Sequence, residues 1–411
     1  MSALSPRFAP AVAEIQGLYG AFSFSEKLLQ KIWLRGDFDR AAATLRDGAR
    51  VRIVHPGKWN LLGGPDFADA RLRFGDTAQR ETHGDVEVHL RAADWDAHGH
   101  ARDPAYDNVM LHVVLFPPEP GHVTRGVGGR EIPVLALLPL LHRALEEFAA
   151  DEAVETLANR PLARLPDELG TLPAGECAAI LQRYSQTRWT EKVRYARLRM
   201  QRLGWESACH HAALEILGYR FNRAPMLRIA GEWPLAKWTD GGVDSDAVFA
   251  AEREGWSLQG VRPANHPRTR LRQYAAWTRA RPDWPARVSE LAQSLPPLNT
   301  TLGDNPRDVR RANHLTSFRT RVADEICANA ITGTRLNNLI CDGLFPLIAA
   351  ETARDIGAIW HHWFCGDLPP WLASGLRQLG FFDGRAQTGS HGVAQGLLGW
   401  FLARETRREI T

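Results

Sequence analysis

Apolar residues recur at helical spacing early in the chain, alternate over the next hundred residues, and return to helical spacing in the second half. Leu28, Leu29, Ile32 and Trp33 form one stripe, and Ser23 with Glu26 has capping-box spacing, so a helix opens there. Val51 to Val54 alternates and stops at His55-Pro56-Gly57. Ala70 to Phe74 alternates and ends at the turn Gly75-Asp76. Val86 to Leu90 alternates again, and a polar connection rich in His and Asp follows from Asp94 to Asn108. Val109 to Phe116 is mostly apolar, as suits a strand in the middle of a sheet. Helix, three strands, connection and strand predict a compact α/β domain over residues 1–150.

The segment from Asn159 to Gly175 is rich in Pro, Leu and Gly, so residues 151–176 are expected to be a linker. Beyond it Trp189, Val193, Ala196, Met200 and Leu203 fall on one helical face, and Ala208 to Leu217 continues in that style. Pro282 to Pro306 is a proline-dotted break, and Val322 to Ala350 reads as further helices. Residues 177–411 are therefore expected to be mainly helical. A chain of 411 residues also exceeds the usual size of one core.

Composition narrows the class without naming a task. Hydrophobic residues at 44% and charged residues at 24% are ordinary for a globular protein, and fourteen tryptophans favour well-buried cores. A net charge of +3 is too small to imply a polyanionic partner. The cysteines Cys177, Cys209, Cys327, Cys341 and Cys365 are odd in number and scattered, against a disulfide framework or a zinc ribbon. No signal peptide is evident, and the apolar run Val134 to Leu141 is too short to span a bilayer. A cytoplasmic protein without a membrane partner is expected, of unspecified oligomeric state.

Strand alternation puts Val86, Val88 and Leu90 on one face and Glu87 and His89 on the other. Asp66 closes the turn Gly63-Gly64-Pro65 just ahead of the preceding strand. Carboxylates at a turn and on a strand suit Mg²⁺ or Mn²⁺, with Asp66 and Glu87 as the metal ligands. His89, of a type that titrates near neutrality, could orient or deprotonate a water. Each has a plainer reading: Asp66 as a turn former, Glu87 as a solvated strand residue, Glu26 as part of the cap. His98 and His100 could hold a transition metal, but contact with substrate or support of a neighbour is expected instead, and His112 is expected to be buried. Two basic runs, Arg183 to Arg202 and Arg262 to Arg281 (with Arg262 and Arg270), could grip phosphates or serve structure.

Asp66 followed by Glu87-Val88-His89 resembles the PD-(D/E)xK nuclease superfamily, with His89 where lysine is usual. That resemblance implies a restriction-endonuclease-like mixed sheet with flanking helices, and a catalytic set of Asp66, Glu87, His89 and the helix residue Glu26. The run from Ser25 to Trp33, Gly64-Pro65-Asp66-Phe67, Asp85 to His89, Asp94-Trp95 and His98-Gly99-His100 are similar to a bacterial family of unknown function, number 2851 in its series. So are Tyr106, Leu111 to Val114, Arg262 to Pro267 and Arg270-Leu271. The function expected is metal-dependent hydrolysis of phosphodiester bonds in DNA or RNA. The alternative is a non-catalytic nucleic-acid-binding or scaffold protein that retains the fold.

Overall fold

The computed structural model describes residues 24–60, 63–75, 80–159, 167–219, 222–253, 255–259, 261–295, 303–384 and 389–410. The chain divides into two compact units, Met1–Ala149 and Ala150–Thr411.

In the first unit, helix α1 (Glu26–Arg35) begins at Ser25, whose hydroxyl accepts the Leu28 N–H at 3.3 Å. It ends at Gly36, in the left-handed conformation that suits a glycine C-cap. Ser23, expected as the cap, lies outside the described residues. With Ser25 as cap, Glu26 stands at the first helical position and not at the third, where a capping box needs it. The stripe Leu28, Leu29, Ile32 and Trp33 is buried, as its spacing predicts.

The sheet is mixed and curled. Its members are β1 (Val51–His55), β2 (Lys58–Trp59), β3 (Phe67–Phe74), β4 (Thr82–His89), β5 (Val109–Val114) and, beyond a small hairpin of β6 (Thr124–Arg125) and β7 (Glu131–Ile132), β8 (Val134–Ala136). The order is β1-β3-β4-β5-β8 with β2 beside β3. β1, β3 and β4 run antiparallel, whereas β5 is parallel to β4 and to β8. Gly57 turns the chain between β1 and β2 at φ 102°, and a Cβ there would stand 2.8 Å from the Phe67 Cβ. Only glycine meets both conditions.

Register sets the two faces of the sheet. Val86 pairs with Leu111 and Val88 with Val113, and these join the α1 stripe in one core. Glu87 pairs with His112, so both belong to the opposite face together with His89. The connection expected from Asp94 to Asn108 carries α2 (Asp94–Ala97) and two 3₁₀ turns, His100–Arg102 and Pro104–Tyr106. Its Trp95 and Tyr106 pack with Val109 and Ile132 as a second, small apolar cluster.

The segment 151–176, expected as a linker, is partly helical. α3 (Leu145–Asn159) extends through its first residues and a short turn of helix covers Asp167–Gly170, while 160–166 lie outside the described residues. The second unit is mostly helical. α4 (Ala174–Leu203) and α5 (Trp205–Leu217) meet at Gly204, whose φ of 75° breaks the run. α5, α6 (Pro267–Ala280) and α7 (Trp284–Gln293) bury Leu214, Tyr274, Trp277 and Trp284 in one core. Leu181 on α4 and Leu397 and Trp400 on α8 (His391–Ile410) belong to another. The expected break from Pro282 to Pro306 contains α7, because Pro285 sits at the helix start, where no backbone N–H is needed. All five cysteines are free and buried, and among the described residues no helix is long and apolar enough to cross a membrane.

Candidate functional site

The turn ahead of β3 delivers Asp66 to β4. Asn60 shapes that turn: its side chain donates to the carbonyls of Gly63 and Pro65, and its backbone N–H to that of Asp66 at 2.7 Å. The register of β3 on β4 then shifts between Phe67 and Ala70, with Asp69 left-handed at φ 56°. Such a bulge re-aims the strand it interrupts. The Asp66 N–H donates to Glu87 Oε2 at 2.9 Å, while the Val88 N–H donates to Asp66 Oδ2 at 3.1 Å. Gln30 donates to Asp66 Oδ1 at 2.6 Å and itself accepts from the Trp59 indole.

Glu26 lies one turn before Gln30 on the same face of α1, which brings it to these acids. Burial raises its pKa, with Asp94 and Asp66 adding to the rise while His98 and the Leu90 backbone N–H oppose it. Burial likewise raises Asp66 against the hydrogen bonds from Gln30 and Val88. Glu87 is only 5% exposed, and burial, followed by the charges of Asp66 and Glu26, pushes it up to about 8. It is held largely as the neutral acid at physiological pH.

The other oxygen of Glu87 faces imidazoles. Oε1 lies 3.4 Å from Nε2 of both His89 and His100, and His89 Nε2 lies 3.1 Å from His98 Nδ1. His89, His98 and His100 offer three ring nitrogens within 4.8 Å of one another, a set that could hold a metal ion. His98 is exposed and His100 buried. Tyr106 stacks on the His100 ring at 3.8 Å, and Trp95 abuts both His100 and His112. Behind His89, Nδ1 is 2.9 Å from His112 Nε2, and His112 Nδ1 is 3.1 Å from the Thr124 hydroxyl. Burial, then the neighbouring imidazoles, lowers His89 to about 3, and His112 is also driven well below its usual range, so both rings stay neutral.

Seven residues expected from the sequence thus meet at one end of the sheet: Glu26, Asp66, Glu87, His89, His98, His100 and His112. Gln30, Tyr106 and Thr124 complete the group and were not singled out for it. Gln30 had a signal, its spacing of four from Glu26, and Tyr106 is among the residues that carry the family resemblance, whereas Thr124 enters through tertiary packing alone.

Arg262 and Arg270 belong to the second unit. Arg262 is exposed, while Arg270 is 7% exposed and donates to Asn265 and Gln273. Within that unit Lys192 pairs with Asp342, Arg199 with Glu215, and Arg268 and Arg272 with Asp246. Much of the basic charge expected to meet phosphates is thereby paired internally.

No curated protein and no solved structure matches the chain. Residues 26–243, just over half of the sequence, match the family described as "Protein of unknown function (DUF2851)", and the match takes in every member of the carboxylate and imidazole cluster. The chain belongs to that family.

Proposed function

We propose that the chain is a metal-dependent phosphodiesterase that hydrolyses DNA or RNA, built on a restriction-endonuclease-like sheet with flanking helices. The observation that carries this reading is that the carboxyls of Glu26, Asp66 and Glu87 lie near enough for Asp66 to act on both glutamates, with burial the largest cause of each raised pKa. Acids buried against their own ionisation form a site whose charge a divalent cation would compensate. Their layout agrees with the PD-(D/E)xK motif: a glutamate in the helix before the sheet, an aspartate heading β3 and a glutamate on β4.

The chemistry of the donors suits Mg²⁺ or Mn²⁺, although among the described residues only His89, His98 and His100 bring three ligand atoms within 4.8 Å of one another. The oxygens are hard, and each carboxylate keeps lone pairs beyond those taken by Gln30, Val88 and the Asp66 N–H. A bound ion of this kind polarises a phosphoryl oxygen and lowers the pKa of a coordinated water. Asp66 and Glu87 supply the charge that binds it, and Gln30 with the Val88 N–H fixes the Asp66 carboxylate. Glu26 adds negative charge beside them, and the exposed His98 is available to a substrate.

One observation favours the second reading, a nucleic-acid-binding or scaffold protein without turnover. His89 is neutral, with its nitrogens engaged by His112 and His98, so it does not bring the positive charge of the lysine it replaces. Purified protein with Mn²⁺, offered supercoiled plasmid, single-stranded DNA and RNA, separates the two. Cleavage abolished by Glu87→Ala and by Asp66→Ala is the expected result. Cleavage that survives both substitutions overturns the phosphodiesterase reading, and salt-sensitive binding without any cleavage replaces it with the scaffold.

A further inference from the structure

We infer that His89, His98 and His100, with Glu87 as the fourth ligand, form a binding site for a Zn²⁺-class transition-metal ion. It shares Glu87 with the carboxylate site of the proposed phosphodiesterase, but it depends neither on that activity nor on Asp66.

The first argument is spacing. Zinc to imidazole or carboxylate bonds of roughly 2.0–2.1 Å in a tetrahedron set ligand atoms about 3.3 Å apart along each edge. Three edges of this cluster measure 3.1, 3.4 and 3.4 Å: His89 Nε2 to His98 Nδ1, His89 Nε2 to Glu87 Oε1, and His100 Nε2 to Glu87 Oε1. The other two imidazole edges, His89 to His100 and His98 to His100, lie within the 4.8 Å that bounds the trio.

The second argument is an unpaired group. His100 is 8% exposed, and its Nε2 is buried without a hydrogen-bond partner. A buried polar nitrogen is normally satisfied, and one turned toward a carboxylate and two other imidazoles is placed as a ligand.

The third argument is support from behind. One consistent tautomer set has His89 Nδ1–H donating to His112 Nε2, His112 Nδ1–H to the Thr124 hydroxyl, and that hydroxyl to His122 Nε2 at 3.3 Å. The set leaves the His89 Nε2 lone pair facing the cluster. An imidazole whose far N–H is so held is the usual arrangement of a metal-binding histidine. Three imidazoles and one carboxylate select Zn²⁺, Co²⁺ or Ni²⁺ over Mg²⁺, which prefers oxygen throughout. His98, being exposed, opens the site to solvent.

The test uses the full chain after chelator dialysis, with the metal alone as probe. Calorimetric titration with Zn²⁺ at neutral pH should give saturable binding at one site, and Co²⁺ should give the intense visible bands of a tetrahedral ion. His98→Ala alters an exposed side chain and should keep the wild-type circular dichroism while weakening Zn²⁺ by at least about 100-fold. His100→Gln should do the same, and Asp66→Ala should leave Zn²⁺ affinity within about threefold. Absence of saturable binding, or binding unchanged in both histidine variants, overturns the site. Zn²⁺ binding without Mn²⁺-dependent cleavage leaves it standing and removes the phosphodiesterase reading. Cleavage without Zn²⁺ binding does the reverse.

Discussion

Glu87 accepts the Asp66 N–H at one oxygen and faces the imidazoles at 3.4 Å with the other, in a setting that favours its neutral form. Glutamine copies that form, since its amide oxygen accepts the Asp66 N–H while its NH₂ faces the ring nitrogens. Glu87→Gln should therefore leave the metal-free melting temperature within a few degrees of wild type. The same change removes a metal-binding charge worth several kcal/mol, so Mn²⁺-dependent cleavage should fall at least about 100-fold. Thermal melts beside a plasmid assay check both halves. A large loss of stability would mean that the ionised carboxylate holds the fold, against the neutral state argued for it.

At the scale of elements, periodicity foretold most of what positions the site. The α1 stripe and the alternation of β4 emerged because each buries an apolar face against the core, which leaves Glu87 and His89 on the opposite side. Other features were not visible, for physical reasons. The Ser25 cap differs by two residues from the Ser23 expected, since either serine satisfies the local rule and tertiary placement decides. α7 hid inside a proline-dotted stretch because proline opens a helix as readily as it ends one. The burial of Trp95 within a polar connection depends on packing that no local pattern records. Gly57 gives this scale its prediction. Its φ of 102°, and the 2.8 Å that a Cβ would leave to the Phe67 Cβ, mean that Gly57→Ala should cost about 1–3 kcal/mol in urea unfolding. The strain falls on Phe67, beside Asp66, so Mn²⁺-dependent cleavage should drop with it. Unchanged stability would contradict the assigned turn.

Across the whole molecule, the second unit carries a pH dependence of its own. His210 is 1% exposed; it accepts from the Tyr274 hydroxyl at 2.6 Å and donates to the Trp233 carbonyl at 2.9 Å. Burial lowers it from 6.5 to about 4, so between those values the unfolded chain takes up a proton that the folded chain refuses. Stability is present in full above pH 6.5 and declines as pH falls toward 4, by about 3 kcal/mol. His210→Gln should start from a lower melting temperature and show a shallower acid decline; an equal decline would place the titration elsewhere. In the same unit, the internal pairing of Lys192, Arg199, Arg268 and Arg272 leaves the first unit's carboxylates as the stronger functional signal. The account turns on whether those carboxylates bind a divalent cation, and Mn²⁺ titration of the chelator-treated chain, followed by the free-ion paramagnetic resonance signal, measures this directly. Wild type and His98→Ala should quench the signal to saturation, whereas Asp66→Ala and Glu87→Ala should not. A wild-type chain that leaves the signal unchanged, or carboxylate variants that quench it equally, would contradict the account.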